Sequence, residues 1–249
     1  MRFYKFAGLV FAAFMGASMS AQAQDAVKVG SSPTGLPFTF INTETKEMDG
    51  ILVDVVKAIQ KDIDITPSFE AVPFSALVPS LTANKIDMIA SAMFITEERA
   101  KVVDFSDPIY GYGEAVFVPS TDETAYKSYQ DLKGKTVGVQ VGTTFVDLFQ
   151  KSGLFSEVKV YKGIADIISD VNAGRIDAGF GDAPMVAYFV AQGRFPKVRI
   201  VDSYEASAGG EFGIALRKGD ERMPKVNAAI ARIKSDGTLQ TILAKYGLK

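Results

Sequence analysis

The chain has 249 residues, of which 47% are hydrophobic and 22% are charged, and its formal net charge is −2. This balance is typical of a globular protein with a sizeable core, and the length suits one large domain or two lobes of about 100 residues. The sequence contains no histidine and no cysteine, which excludes disulfides, the usual zinc and haem sites, and nucleophiles activated by histidine. No basic run suggests nucleic-acid binding. We therefore expect no metal, no cofactor and no nucleic-acid partner.

The N-terminal segment has the pattern of a secretory signal peptide. Arg2 and Lys5 precede an apolar run over residues 6–14, and Ala21-Gln22-Ala23 provides a cleavage site of the small-x-small type. The alternative is a membrane anchor, but the run is shorter than the roughly 20 apolar residues that span a bilayer. The sequence therefore predicts a signal peptide over residues 1–23, cleavage after Ala23, and export to the periplasm.

The rest of the chain reads as two similar series of strands and helices. Apolar spacing in the first half predicts a β-α-β-α-β unit, with strands at 27–30, 66–71 and from 86, and helices at 51–61 and 74–83. The second half predicts the same unit, with strands at 135–139, 157–161 and from 176, and helices at 144–151 and 164–172.

The two units end in nearly the same residues. Residues 81–87 and 171–177 share the frame apolar-x-Ala-x-basic-Ile-Asp, with a tight turn predicted at Asn84 and at Gly174 between helix and strand. Ligands of open α/β sheets bind beyond the carboxyl ends of the strands. The repeat therefore predicts two α/β lobes that face each other across a ligand cleft.

Two extended apolar runs, at 114–118 and 212–216, are predicted to cross between the lobes as a hinge. Two further predicted helices, at 223–233 and 238–246, then rejoin the first lobe. The expected fold class is α/β, with two Rossmann-like lobes joined by a two-strand hinge. The predicted domains are the signal peptide, lobe 1, and lobe 2 with its hinge segments, at residues 1–23, 24–113 plus 212–249, and 114–211.

Four motifs carry a resemblance to a known family. The chain resembles the periplasmic solute-binding proteins of polar amino-acid ABC transporters, extracellular solute-binding family 3. The motifs lie at residues 86–99 with 103–108, 137–144, 173–182 and 233–238. The resemblance implies the type II periplasmic binding protein fold, in which two hinged lobes close over the α-carboxylate and α-ammonium of the ligand. It also implies delivery of that ligand to an inner-membrane ABC permease, by a protein that acts as a monomer.

The resemblance assigns the two charged ends of the ligand to Arg99 and Asp182. Arg99 matches the carboxylate-binding arginine, and Thr96 is the predicted helix N-cap, which puts Arg99 in the first helical turn. A cation at that position opposes the helix dipole, so an arginine there suggests another role. Its planar guanidinium group suits a carboxylate. The alternative is a solvated surface arginine. Asp182 matches the ammonium-binding aspartate, and the alternative is a helix cap before Pro184.

Four smaller residues match further ligand contacts of the family. Thr143 and Thr144 follow Gly142 at the start of a predicted helix, where free N–H groups make an anion site. The alternative is an ordinary turn that binds no ligand, since it would have the same kind of sequence. Ser91 and Ala92 fall where the family contacts the ammonium and the carboxylate.

Phenylalanines mark where the chain departs from the family pattern. Phe94 replaces the usual Thr or Ser, Phe74 matches an aromatic of the basic amino-acid binders, and Gly35 replaces the aromatic facing it, with Phe38 close by. These rings suit a polar or cationic amino acid, or an ectoine-like solute, through cation–π contacts. The alternative is that Phe38 and Phe94 are core residues.

We expect a ligand receptor rather than an enzyme, and two rival functions remain. One is a periplasmic dehydratase acting on a prephenate-like or arogenate-like acid, for which Asp182 and Glu114 are the candidate general acids. The other is a ligand-sensing module that acts through a partner receptor.

Overall fold

The computed structural model describes residues 26–248, so the predicted signal peptide and its cleavage site lie outside the described residues. The strands, in chain order, are β1 (Val27–Ser31), β2 (Thr34–Gly35), β3 (Thr39–Ile41), β4 (Met48–Asp49), β5 (Pro67–Ala71), β6 (Met88–Ile89), β7 (Val103–Phe105), β8 (Tyr110–Tyr112), β9 (Glu114–Pro119), β10 (Thr136–Gln140), β11 (Glu157–Tyr161), β12 (Ala178–Asp182), β13 (Val198–Ile200), β14 (Gly210–Phe212) and β15 (Ala215–Arg217). The α-helices are α1 (Ile51–Ile59), α2 (Leu77–Thr82), α3 (Glu97–Ala100), α4 (Thr144–Ser152), α5 (Ile164–Asn172), α6 (Ala183–Ala191), α7 (Met223–Ser235) and α8 (Thr238–Lys245). Short 3-10 helices occur at Phe74–Ala76 and Tyr129–Leu132.

Two five-stranded sheets form the centres of the two lobes. The first has the order β5-β1-β6-β15-β7 and the second the order β11-β10-β12-β9-β13. In each, the first strand of the unit pairs in parallel with two neighbours. One antiparallel strand follows, β15 or β9, and the edge strand beyond it, β7 or β13, pairs antiparallel with that strand. The shared order confirms the prediction of two similar α/β lobes.

The repeated Ile-Asp pair has the same structural role in both lobes. The carboxylate of Asp87 accepts a hydrogen bond from the backbone N–H of Lys28 at 3.0 Å, and that of Asp177 accepts one from Thr136 at 2.7 Å. The preceding Ile86 and its counterpart in lobe 2 are buried. Each pair therefore fixes the third strand of its unit beside the first.

The turns before these strands also follow the sequence. Asn84 and Gly174 have left-handed φ values of 57° and 69°, which suit an asparagine or a glycine after a helix. The predicted helix at 74–83 differs, since it is a 3-10 turn followed by α2. Pro79 lacks the N–H that a regular helix beginning at Phe74 would need.

The hinge lies slightly earlier in both segments than predicted. β8 and β14 form a two-stranded antiparallel ribbon, in which Tyr112 pairs with Gly210. The apolar runs predicted as the crossing are β9, which belongs to the second sheet, and β15, which belongs to the first. The apolar pattern identifies buried sheet strands, whereas the ribbon contains glycine and tyrosine. The exact lobe limits stay a prediction.

The C-terminal helices pack against lobe 1, as predicted. The apolar face of α7 is buried at Val226, Ile230 and Ile233, and both α7 and α8 contact α1. Lys245 forms an ion pair with Asp54 of α1 at 2.7 Å. Within residues 26–248, no helix is long and apolar enough to cross a membrane.

Candidate functional site

A small cavity between the lobes contains most of the predicted site. Seven of the nine predicted residues line it, and Phe145 lines it too. The predicted residues that line the cavity are Phe74, Ala92, Phe94, Arg99, Thr143, Thr144 and Asp182. Ser91 and Phe38 do not. Phe74, Ala92, Phe94 and Arg99 come from lobe 1, and the other three come from lobe 2.

Arg99 is held by its helix and by both lobes. The hydroxyl of Thr96 accepts a hydrogen bond from the Arg99 backbone N–H at 3.2 Å, which confirms Thr96 as the N-cap of α3. One guanidinium nitrogen donates to the Phe94 carbonyl at 2.7 Å, and the other donates across the cleft to the Gly142 carbonyl at 3.0 Å. The guanidinium carbon lies 5.8 Å from the centre of the Phe74 ring. The arginine is therefore positioned at the lobe interface and is not a solvated surface residue.

The carboxylate of Asp182 faces the cavity and does not cap a helix. Asp182 is the N-cap residue of α6, but its side chain makes no capping hydrogen bond. It accepts a hydrogen bond from the Tyr112 hydroxyl at 2.9 Å instead. Burial raises the pKa of Asp182 to about 7, although the Tyr112 hydrogen bond and the charge of Arg99 act in the opposite direction. A cation close to this carboxylate would favour its charged form.

Tyr112 is the main site residue that the sequence did not reveal. Its hydroxyl lies 2.9 Å from Asp182 Oδ2 and 3.2 Å from the Ala92 carbonyl oxygen. Burial and the neighbouring Asp182 raise the pKa of Tyr112 well above its usual value, so it remains a neutral donor. Side chains alternate along a strand, so residues 110 and 112 lie on one face of the hinge ribbon. The sequence does not show that this face points toward the cleft.

The Gly-Thr-Thr turn begins α4 at the edge of the cavity. The Thr143 hydroxyl donates to the Gln140 carbonyl at 2.7 Å and does not cap the helix. The first-turn N–H groups of α4 are thus left without a cap from that side chain, which is the arrangement that suits an anion. Thr144 is the first residue of the helix and also lines the cavity.

The predicted phenylalanines have different surroundings. Phe38 is fully buried, and its ring stacks on Tyr112 at 5.2 Å between ring centres. Its backbone carbonyl accepts a hydrogen bond from the Leu52 N–H at the start of α1, and its ring also packs edge-on against Phe212. Phe94 is 7% exposed, lies 4.9 Å from the Tyr112 ring and lines the cavity. Phe38 is therefore a core residue in this structure, whereas Phe94 packs in the core and also lines the cavity.

Ser91 does not line the cavity but is bonded to the backbone beside it. It is buried, and its hydroxyl accepts a hydrogen bond from the Ser32 backbone N–H at 2.9 Å. This bond joins the end of β1 to the segment after β6, from which Ala92 and Phe94 reach the cavity. Contact between Ser91 and a ligand stays a prediction.

The lobes are in close contact around the cavity, whose volume is about 10 Å³. This is roughly the space of one water molecule. A Cβ built on Gly142 of lobe 2 would lie 2.8 Å from the Ser75 Cα of lobe 1. A small zwitterion can therefore enter only if the lobes separate. Within residues 26–248, no group of three or more His, Cys, Asp or Glu side chains could hold a metal ion.

The two sheets, the hinge ribbon and the charged pair across the cleft define a two-lobed solute-binding protein of the type II periplasmic binding protein fold. The chain belongs to the bacterial extracellular solute-binding proteins, family 3, whose sequence profile matches residues 27–249.

Similar proteins agree with this assignment. A putative ABC transporter arginine-binding protein 2 of Escherichia coli strain K12 is 33% identical over 242 residues, which are 96% of this chain and 97% of that protein. An ancestral arginine-binding protein bound to arginine has a similar structure, with a TM-score of 0.81 and 36% identity over 89% of this chain and 98% of that one. An ancestral amino acid-binding protein that is a precursor of cyclohexadienyl dehydratase has a TM-score of 0.79 and 30% identity over 89% and 95% of the two chains.

Proposed function

We propose that this chain captures an amino acid, or a related small zwitterion, in the periplasm and delivers it to an inner-membrane ABC permease. The observation that carries the proposal is the pair formed by Arg99 and Asp182, which approach one cavity from opposite lobes. A buried zwitterion needs both of its charges compensated. With one partner in each lobe, compensation is complete only when the lobes close.

The positions of the site residues support a role for each in this proposal. We assign the ligand carboxylate to Arg99 and the first turn of α4, with the Thr144 hydroxyl and the Ala92 backbone beside them. The ligand ammonium is assigned to Asp182, where it would take over the hydrogen bond that Tyr112 now donates. Export through cleavage after Ala23 and action as a monomer are part of the same proposal.

Replacement of Arg99 by methionine tests this site. A panel of amino acids, with ectoine included, is screened by thermal unfolding after the protein has been unfolded and refolded to remove carried-over ligand. We expect at least one compound to stabilise the protein by about 2.7 kcal/mol at a hundredfold excess over its dissociation constant. Arg99→Met should weaken that binding by roughly a hundredfold, since it removes two charge-assisted hydrogen bonds.

Arg194→Met is the matched control, because Arg194 is exposed and lies outside the cavity. Its ligand affinity should equal that of the natural protein. Unchanged affinity in Arg99→Met would show that the site is misplaced, and a panel without any stabilising compound would contradict the receptor function.

The surroundings of Glu114 argue against the dehydratase alternative. Its carboxylate accepts hydrogen bonds from the Tyr204 hydroxyl and the Ser207 backbone N–H, both at 2.8 Å, and from the Ala208 N–H at 2.9 Å. Burial acts to raise the pKa of Glu114, but these bonds outweigh it and hold the pKa below its usual value. An ionised, fully bonded carboxylate is a poor general acid. Glu114 is therefore unsuited as the general acid, whereas Asp182, with a pKa of about 7, lines the cavity and is assigned here to the ligand ammonium. On that assignment we propose binding without turnover, and conversion of prephenate by the purified protein would contradict it.

A further inference from the structure

A second, larger cavity between the lobes shares the wall residue Phe74 with the cavity of the charged pair. It has a volume of about 540 Å³, within the range of ligand pockets. Lobe 1 contributes Pro33, Pro73 and Phe74 to its walls, and lobe 2 contributes Val141, Val160 and Tyr161. Phe74 lines this cavity and the small cavity with Arg99 and Asp182. The two cavities therefore have Phe74 as a common wall residue.

Close contacts between the lobes border this second cavity. Ser75, which lines it, packs against Gly142, where an added Cβ would be 2.8 Å from the Ser75 Cα. Thr34, which also lines it, lies against Gly163, where an added Cβ would be 3.5 Å from the Thr34 hydroxyl oxygen. The cavity is thus part of the cleft, and it changes size when the lobes move.

The charges around the second cavity are unfavourable for a cation. Of the described residues that line it, none is acidic, and Lys162 is the charged one. Asp170 accepts a hydrogen bond from the Tyr161 hydroxyl at 2.7 Å and forms an ion pair with Arg175. A guanidinium or ammonium group placed here would find no unpaired carboxylate among the lining residues, and burying a charge without a partner is costly.

We propose that this cavity receives the side chain of the ligand, and that the side chain is uncharged and apolar, either aliphatic or aromatic. The inference rests on the proposed function, and it replaces the expectation of a polar or cationic amino acid with that of an apolar one. With the carboxylate at Arg99 and the ammonium at Asp182, the side chain would pass the Phe74 ring and enter the apolar space. Val160, which is 43% exposed, would be covered by the bound side chain.

Isothermal titration of the refolded protein tests the inference with leucine, phenylalanine, arginine, lysine, glutamate and ectoine. We expect leucine or phenylalanine to bind at least tenfold more tightly than the charged amino acids and ectoine. Val160→Asp should weaken the apolar ligand at least tenfold and improve the relative affinity for arginine and lysine. Val102→Asp is the matched control, because Val102 is a valine of similar exposure, 49%, outside this cavity. It should leave every affinity unchanged.

The outcomes separate the two proposals. If arginine, lysine, glutamate or ectoine bound most tightly and this binding still required Arg99, the apolar side chain would be refuted and the receptor function would stand. If none of these six compounds bound, this inference would fail, and the thermal screen with the wider amino-acid panel would decide the receptor function. If Val160→Asp and Val102→Asp changed the ligand affinities equally, Val160 would not contact the ligand, and the assignment of the second cavity would be overturned.

Discussion

The protonation of Asp182 links ligand binding to pH. Its pKa is about 7 because the carboxyl is buried, so a large fraction is protonated below neutral pH. A bound ammonium stabilises the carboxylate and lowers that pKa, which means that binding releases a proton when the free protein holds one. Affinity should therefore rise between pH 5 and pH 7, by at most about tenfold per pH unit, and level off above pH 7.

Titration calorimetry checks this in two buffers with different enthalpies of ionisation. We expect up to one proton to be released per ligand at pH 6 and fewer at pH 8. Asp182→Asn should bind more weakly and lose the pH dependence, since its amide does not titrate in this range. An affinity that stayed constant from pH 5 to pH 8 in the natural protein would show that Asp182 does not receive the ammonium.

At the scale of single residues, the sequence identified site residues whose side-chain type is unusual for their predicted position in a helix or strand. Arginine is unexpected in the first turn of a helix, and this made Arg99 conspicuous. Tyr112 carries no such mark, because tyrosine is common in strands and its contacts with Asp182 and Ala92 depend on how the hinge ribbon is oriented. Phe38 shows the converse, since nearness to the cleft loop in sequence did not place its ring in the cavity.

At the scale of elements, the short helix α3 depends on its cap to position Arg99. The helix has four residues, so its few internal hydrogen bonds leave it sensitive to the loss of one cap. Thr96→Ala should lower the free energy of unfolding by about 1 kcal/mol. It should also weaken ligand binding, because the capping bond is donated by the backbone of Arg99 itself.

Denaturant unfolding and calorimetry of three variants check this. Thr96→Ser keeps the capping oxygen and should restore both stability and affinity. Thr82→Ala removes an exposed threonine hydroxyl from the end of α2, where it bonds to Val78 and Pro79 carbonyls, and should leave affinity unchanged. A Thr96→Ala protein that bound ligand normally would show that the cap does not position Arg99.

The repeated helix-turn-strand unit was predictable because its residues act locally. The left-handed turn, the buried isoleucine and the aspartate that binds the first strand all lie within seven positions of one another or on a neighbouring strand. The hinge was harder to place, since a two-stranded ribbon of glycines and aromatic residues has no apolar period of its own. Long-range pairing, and not local preference, determines where it forms.

At the scale of the whole molecule, closure depends on how near the two lobes can approach at Gly142. This glycine has a left-handed φ of 81°, its carbonyl accepts a hydrogen bond from Arg99 across the cleft, and it packs against Ser75. A methyl group at this position would meet backbone atoms of the opposite lobe, which cannot move without shifting the chain. Gly142→Ala should therefore hold the lobes apart and weaken ligand binding at least tenfold.

Gly134→Ala separates this steric effect from backbone strain. Gly134 lies in lobe 2 with a φ of 78°, but nothing lies within 4 Å of an added Cβ. Both variants should lose about 1 kcal/mol of stability from the left-handed conformation, while only Gly142→Ala should change function. Small-angle scattering with saturating ligand should give a larger radius of gyration for Gly142→Ala than for Gly134→Ala. If both variants closed and bound ligand equally well, the contact between Gly142 and Ser75 would not belong to the ligand-bound conformation, and the lobes would have to meet elsewhere.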